Sequence, residues 1–280
     1  VTDIYEELAR LRRENKPCAV ATVVQTTGSS PQRAGAKMLV RGDGSIAGTI
    51  GGGCIEAKVI ETSHLAVEDG VARTVPFDLT ETEGGLICGG HMVVFIEPVL
   101  PDPHLIILGA GHVGRALSAI ARFSGFRVTV IDDREEFANP VNIPDAGTVL
   151  VNNFKDPLSG VKVDEQGFVV VATRGHNHDL EAVAAALGTG ARYVGLVGSK
   201  RKRSVIFGEL MDRGFSRDDA ERVIIPVGLP IGSVTPEEIA VSIMAQIIET
   251  RRKHDRSLGH SSCCGTIVED GAIEAAPAIR

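Results

Sequence analysis

The spacing of apolar residues changes near residue 100. Before that point, short apolar runs are cut by glycine. Leu8 and Leu11 share one face of a helix over 3–15, and Asp3 with Glu6 has the spacing of a capping box. Residues 18–24 form an almost unbroken apolar run, the mark of a buried strand. Residues 37–40 and 45–47 flank Arg41-Gly42-Asp43-Gly44, a hairpin signal. Residues 57–70 read as a helix ended by Gly70, and 92–96 as a further strand. Pro98, Pro101 and Pro103 then cluster with Asp102 and mark a boundary. It separates a first unit, 1–100, from a second, 104–254, with a tail over 255–280.

After His104 the pattern alternates. Residues 105–108, 128–131, 149–151, 169–171 and 194–197 are short, apolar and mostly β-branched. Helical segments lie between them, at 113–124 (with Gly125 after its end), 182–187 and 205–213. Thr235-Pro236-Glu237-Glu238 starts a last helix that runs to about Arg252, with a cap, a proline in the first turn and a glutamate that reaches back. Continuous apolar strands separated by helices predict a parallel sheet covered on both faces. The fold class is therefore α/β: a Rossmann-like doubly wound parallel sheet preceded by a smaller, strand-rich α/β domain.

Composition narrows the functions. A net charge of -7 argues against a nucleic-acid or membrane-surface role. No apolar run reaches the roughly 18 residues of a membrane span. The first residues read as a helix start rather than a secretory leader. Five cysteines, an odd number, do not suggest a disulfide framework, and reduced thiols suit a cytoplasmic protein. With no tryptophan and 4% aromatics, a base-stacking platform is not expected.

Gly109-Ala110-Gly111-His112-Val113-Gly114 follows a strand and opens a helix, and Asp132 ends the next strand. That is the dinucleotide-binding arrangement: Gly109 for the tight turn, Gly111 for approach to a phosphate, Gly114 for helix packing. Asp132 would accept from a ribose hydroxyl and disfavour a 2′-phosphate, a choice that neighbouring Arg134 complicates. The loop fits NAD, but it equally fits a phosphate ligand without redox chemistry. A second loop, Gly198-Ser199-Lys200-Arg201-Lys202-Arg203, places four cations at a helix start, where they oppose the dipole unless an anion sits there. Arg174, His176 and His178 follow another strand, at the carboxyl edge where such sheets bind ligands, and Asp179 fits as a helix cap.

The first unit carries different chemistry. Gly52-Gly53-Cys54-Ile55-Glu56 and Cys88-Gly89-Gly90-His91 set thiols among glycines, where a ligand has room and backbone N–H groups favour a thiolate. Sulfur, zinc or molybdenum suits such a thiol. A zinc site from Cys54, Cys88 and His91, a Cys–His nucleophile, and plain buried thiols are the alternatives, the last best suited to Cys18. Cys263 and Cys264 lie in a polar tail.

Taken in order, these motifs resemble the XdhC/CoxI family, accessory proteins of molybdenum hydroxylases such as xanthine dehydrogenase. The resemblance spans roughly 3–252. It rests on Gly28-Ser29-Ser30-Pro31-Gln32-Arg33-Ala34-Gly35-Ala36-Lys37, the Cys54 turn, Cys88-Gly89-Gly90, the loop 109–114, Thr173-Arg174-Gly175-His176, Gly198-Ser199-Lys200-Arg201-Lys202, and Pro226-Val227-Gly228-Leu229-Pro230-Ile231-Gly232. Two positions depart from the family pattern: Ile225 stands where a histidine is frequent, and Pro230 where an acid is. The resemblance implies a chaperone that holds the molybdenum cofactor (molybdopterin, or its cytosine dinucleotide form) while it gains a terminal sulfur, then delivers it. Its partners would be an apo molybdenum hydroxylase and a cysteine desulfurase, and it would form a homodimer. Cys54 would face molybdenum as a ligand, sulfur relay or guard, with Cys88 beside it, and Glu56 would hydrogen-bond the pterin edge or cap the helix after it. Gly52 and Gly53 would clear the space around the thiol. Gly109, Gly111, His112, Gly114, Asp132, Arg174, His176, Ser199, Lys200 and Arg201 would hold the phosphate end, with Arg33 and Lys37 adding charge. The alternative is an NAD(H)-dependent oxidoreductase, with His176 or His178 moving the proton, or an NAD-binding sensor.

Overall fold

The computed structural model describes residues 3–79 and 89–257, so Cys88, Cys263 and Cys264 lie outside the described residues. The first sheet contains β1 (Cys18–Thr27), β2 (Lys37–Arg41), β3 (Ile46–Gly48), β4 (Arg73–Asp78) and β5 (His91–Val99). All its pairs are antiparallel, in the order β3-β2-β1-β5-β4. The expected hairpin joins β2 to β3, closed by the Gly44 N–H donating to the Arg41 carbonyl at 2.9 Å. Apolar periodicity does not announce β4, which contains Pro76. Proline cannot donate to a ladder and suits an edge strand, which is where β4 lies.

Two helices flank this sheet. In α2 (Gly53–Asp69), Ile55, Val59 and Ala66 pack on Ala21, Met38 and Val94. In α1 (Ile4–Arg13), Leu11 packs on Cys18, Val20 and Leu39 of the other face. Cys18 is fully buried, and burial pushes its thiol up. The Asp3 carboxylate caps α1 by accepting from the Tyr5 and Glu6 N–H groups. Glu7, in the seam, is held at a pKa of about 2 by hydrogen bonds from Arg10 and then Arg41, which tie α1 to β2.

The second sheet is wholly parallel. It runs through β6 (His104–Leu108), β7 (Arg127–Asp132), β8 (Thr148–Val151), β9 (Gly167–Val171), β10 (Tyr193–Leu196) and β11 (Val223–Ile224), in the order β11-β10-β9-β6-β7-β8. Alternate residues of β6 face opposite ways. Leu105 and Ile107 pack with α3 (His112–Phe123) and α7 (Pro236–Ser257), whereas Ile106 and Leu108 pack with α4 (His176–Leu187), α5 (Lys200–Asp212) and α6 (Arg217–Glu221). Burial on both faces explains why the run 105–108 has no polar break. The winding reverses at β6, between β7 and β9, so the loops after β6 and β9 lead to helices on opposite faces, and this switch point is where such sheets form a crevice at the carboxyl edge.

Helix starts differ most from expectation. α2 begins at Gly53 rather than 57, α4 at His176 rather than 182, and α5 at Lys200 rather than 205. The first turns of α4 and α5 are polar and carry none of the apolar period that marks a packed face, and α2 starts straight out of a glycine run that reads as a turn. α7 starts as expected, with the Glu238 carboxylate accepting from the Val234 and Thr235 N–H groups, but it extends to Ser257. The short α6 and β11 are not among the expected elements, although Ser216 and Asp219 have the spacing of a capping box and 223–225 is a short β-branched run.

His104 provides a test of the second sheet. It is 6% exposed and shares a 2.8 Å hydrogen bond with Thr129 Oγ1. Burial, then the charge of Arg127, lowers its pKa from 6.5 to about 4. The unfolded chain takes up the proton near the ordinary value, whereas the fold resists until about 4. Stability therefore falls as pH drops through that window. Between pH 7 and pH 5 the wild type should lose roughly 2 kcal/mol more than His104→Gln in urea unfolding.

Candidate functional site

Because the first sheet is antiparallel, β1 and β3 end where β2 and β5 begin. The glycine motifs of the first unit meet at that end. A Cβ on Gly90 would lie 2.4 Å from the carbonyl oxygens of both Thr27 and Ser29, and one on Gly51 would lie 2.6 Å from the Pro31 ring. Segments far apart in sequence thus form one surface, and α2 starts on it. Gly52 precedes α2 with no side-chain cap, and Cys54 is exposed in the first turn. Cys54 is therefore a helix residue rather than a turn residue. A Cβ on Gly52 or Gly53 would meet nothing within 4 Å.

Glu56 faces back into the turn, where its Oε1 accepts from the Thr49 hydroxyl at 2.6 Å and the Ile50 N–H at 3.2 Å. Burial would raise its pKa, but the donors of Thr49, Ile50, Gly52 and Gly51 prevail and lower it. Glu56 thus clasps the glycine turn. Lys37 donates to Thr22 Oγ1 at 2.9 Å, and Arg33 is exposed.

At the carboxyl edge of the second sheet each glycine has a separate reason. Gly109 has a φ of 124°, and a Cβ there would lie 2.2 Å from the Ala172 carbonyl oxygen. A Cβ on Gly114 would lie 1.9 Å from the Gly109 carbonyl oxygen. Gly111 is different. Its φ is -75°, and a Cβ would meet nothing within 4 Å, so neither backbone nor packing requires glycine there. It precedes α3 with no side-chain cap, and Gly175 precedes α4 in the same way. His112 and His176 thus open helices at the crevice, where first-turn N–H groups have no partner within the helix.

Asp132 is 1% exposed and holds this edge from below. It accepts from the Ala110 N–H at 2.8 Å and from the Arg134 guanidinium. Burial raises its pKa, and Arg134 and the Ala110 N–H outweigh that and lower it. Asn142, which no motif singles out, donates to the Ala110 carbonyl at 3.2 Å. Arg174 donates to Asp133 at 2.8 Å, His176 Nε2 lies 2.9 Å from Glu209 Oε2, and His178 stacks on Phe154.

Asp179 is not a cap. It lies within α4, fully buried, accepts from the Thr173 hydroxyl at 2.7 Å and pairs with Lys202. Lys202 also donates to the Val197 carbonyl, and Arg203 lies over the Phe207 ring. The four-cation run therefore divides: Lys202 and Arg203 have partners within the fold, whereas Lys200 and Arg201 are exposed at the start of α5. Ser199 caps that helix through the Lys202 N–H at 3.3 Å.

The loop 226–232 follows a cis Ile225–Pro226 bond and is tied to α7 by Gln246, which accepts from the Gly228 N–H, and by Ser242, which donates to the Leu229 carbonyl. Of the two family departures, Ile225 is buried in the core and Pro230 is exposed. Among the described residues no His, Cys, Asp and Glu group is placed to hold a metal ion, and Cys88 lies outside them.

The sequence profile of the XdhC Rossmann domain matches residues 105–247, and that of the XdhC and CoxI family matches 11–78. The chain belongs to the XdhC/CoxI family. Its family relatives include the uncharacterized protein YqeB of Escherichia coli, 36% identical over 89% of this chain, which spans 46% of that protein's length. A Bacillus subtilis relative described as a probable xanthine dehydrogenase subunit is 24% identical over 90% of this chain and 98% of its own length. The molybdenum cofactor insertion chaperone PaoD of Escherichia coli is 24% identical, covering 94% of each. A solved structure described as a xanthine dehydrogenase from Bacillus halodurans superposes with a TM-score of 0.50 at 25% identity, over 89% of this chain and 95% of that one.

The glycines of this XdhC-type loop make a paired prediction. Gly114→Ala should lower stability by about 1–3 kcal/mol through overpacking. Gly111→Ala should cost under about 1 kcal/mol, and any rise in melting temperature that pyrophosphate gives the wild type through this loop should be lost in it. Thermal melts with and without pyrophosphate read both.

Proposed function

We propose that this chain is an accessory factor for a molybdenum hydroxylase of the xanthine dehydrogenase type. It binds the molybdenum cofactor as cargo, supports its sulfuration with a cysteine desulfurase as the sulfur source, and delivers it to the apo-enzyme. Membership of the XdhC/CoxI family supports this reading, as do relatives named for xanthine dehydrogenase and for cofactor insertion. The observation that carries it is the exposed Cys54 at an uncapped helix start, together with the uncapped helix starts at Gly111 and Gly175. The cargo has a soft metal end and a phosphate end, and the two kinds of edge match them.

In this reading Cys54 meets the metal end, while Glu56 keeps the glycine turn open around it. Residues 109–114 receive the phosphate group, with Ser199, Lys200 and Arg201 beside it. Arg174 and His176 border the same edge, and Arg33 adds charge from the first unit. Reactivation of apo-hydroxylase by cofactor-loaded protein tests the proposal. Cys54→Ala should fold normally, because the thiol is exposed, yet fail to deliver sulfurated cofactor. Wild-type delivery by that variant would refute the thiol's role. Lys200→Ala with Arg201→Ala should weaken cofactor binding about tenfold or more, the worth of a lost charge-assisted hydrogen bond.

A further inference from the structure

Asp132 ends β7, where a dinucleotide fold presents an acid to a ribose diol. A carboxylate has about four lone-pair sites. At Asp132 four donors already fill them. Oδ2 accepts from the Ala110 N–H at 2.8 Å and Arg134 Nη2 at 3.0 Å, and Oδ1 accepts from Arg134 Nε at 2.9 Å and the Arg134 N–H at 3.1 Å. Arg134 is itself held in place. Its guanidinium lies 3.8 Å from the centroid of the Phe137 ring, and its Nε is 3.8 Å from Asp133 Oδ1. Admitting a diol would mean breaking this fork and re-pairing two largely buried charges, which is costly.

We infer that Arg134 is a specificity-determining residue: its fork saturates Asp132, so the crevice takes a phosphorylated ligand with no ribose diol at the end of β7 and turns away NAD(H). The same fork is unavailable to a 2′-phosphate, so NADP(H) is turned away too. This rests on the proposed phosphate role of the crevice and adds which ligands that crevice refuses. Arg134 acts here by occupying an acceptor, not by touching the ligand.

Titration of NADH and NADPH fluorescence tests the inference, with inorganic pyrophosphate in thermal melts as a separate arm. The wild type should show no saturable binding of either dinucleotide at millimolar concentration. Arg134→Ser frees Asp132 and should tighten NADH binding at least about tenfold, and Asp132→Asn in that background should remove the gain. Arg134→Lys replaces the fork with a single ammonium and should gain less. It also serves if Arg134→Ser does not fold. Pyrophosphate should stabilise the wild type and the Arg134 variants alike. Wild-type NADH binding that Asp132→Asn abolishes would overturn the assignment. So would wild-type NADPH binding lost in Arg134→Ser, or folded Arg134 variants that gain no NADH affinity. Pyrophosphate that shifts no protein would instead sink the phosphate role beneath it.

Discussion

The carboxyl edge of the second sheet depends on one buried carboxylate. A charge removed from water must be paired, and Asp132 is paired by Arg134 next to it in the chain and by the Ala110 N–H of the loop after β6. That pairing fixes the amide of Ala110, and Asn142 holds the carbonyl of the same residue. The turn between β6 and α3 is thus restrained at both peptide groups that flank Ala110. Gly114 pressed against the Gly109 carbonyl completes the restraint. What remains open is the start of α3 at Gly111.

The other helix starts show what is unusual about that opening. α1, α5, α6 and α7 are capped by Asp3, Ser199, Ser216 and Thr235. α2, α3 and α4 begin after glycines that offer no side-chain oxygen. Glycine at a cap position costs only roughly a few tenths of a kcal/mol relative to a capping side chain, so three starts, all in family motifs, stay without a side-chain cap at little loss of stability. Uncapped N–H groups that face open space suit an incoming anion.

The tie between Lys202 and Asp179 shows how the fold assigns charge. It joins the start of α5 to the buried Asp179 of α4, so two neighbouring edge loops are held together by an ion pair. A basic turn that looks uniform in sequence thereby splits into a structural half and an exposed half.

The sequence alone determined the two-part α/β organisation, the parallel second sheet and the positions of the glycine motifs. These depend on period and on residue type, which are local properties. Apolar period also located the cores, because doubly buried strands such as 105–108 tolerate no polar break. Tertiary structure decided what was written in polar residues. The early starts of α4 and α5 carry no apolar period, that of α2 follows a glycine run that reads as a turn, and β4 hid behind an edge proline. The partners of Asp132, Glu56, Asp179 and Lys202 were equally hidden, because a side chain's free valences are spent on whatever the fold brings within about 3 Å. The motif position of Asp132 marks it as a ribose acceptor. Only the folded chain shows its acceptor sites already filled, because Arg134 and Ala110 reach it across the turn.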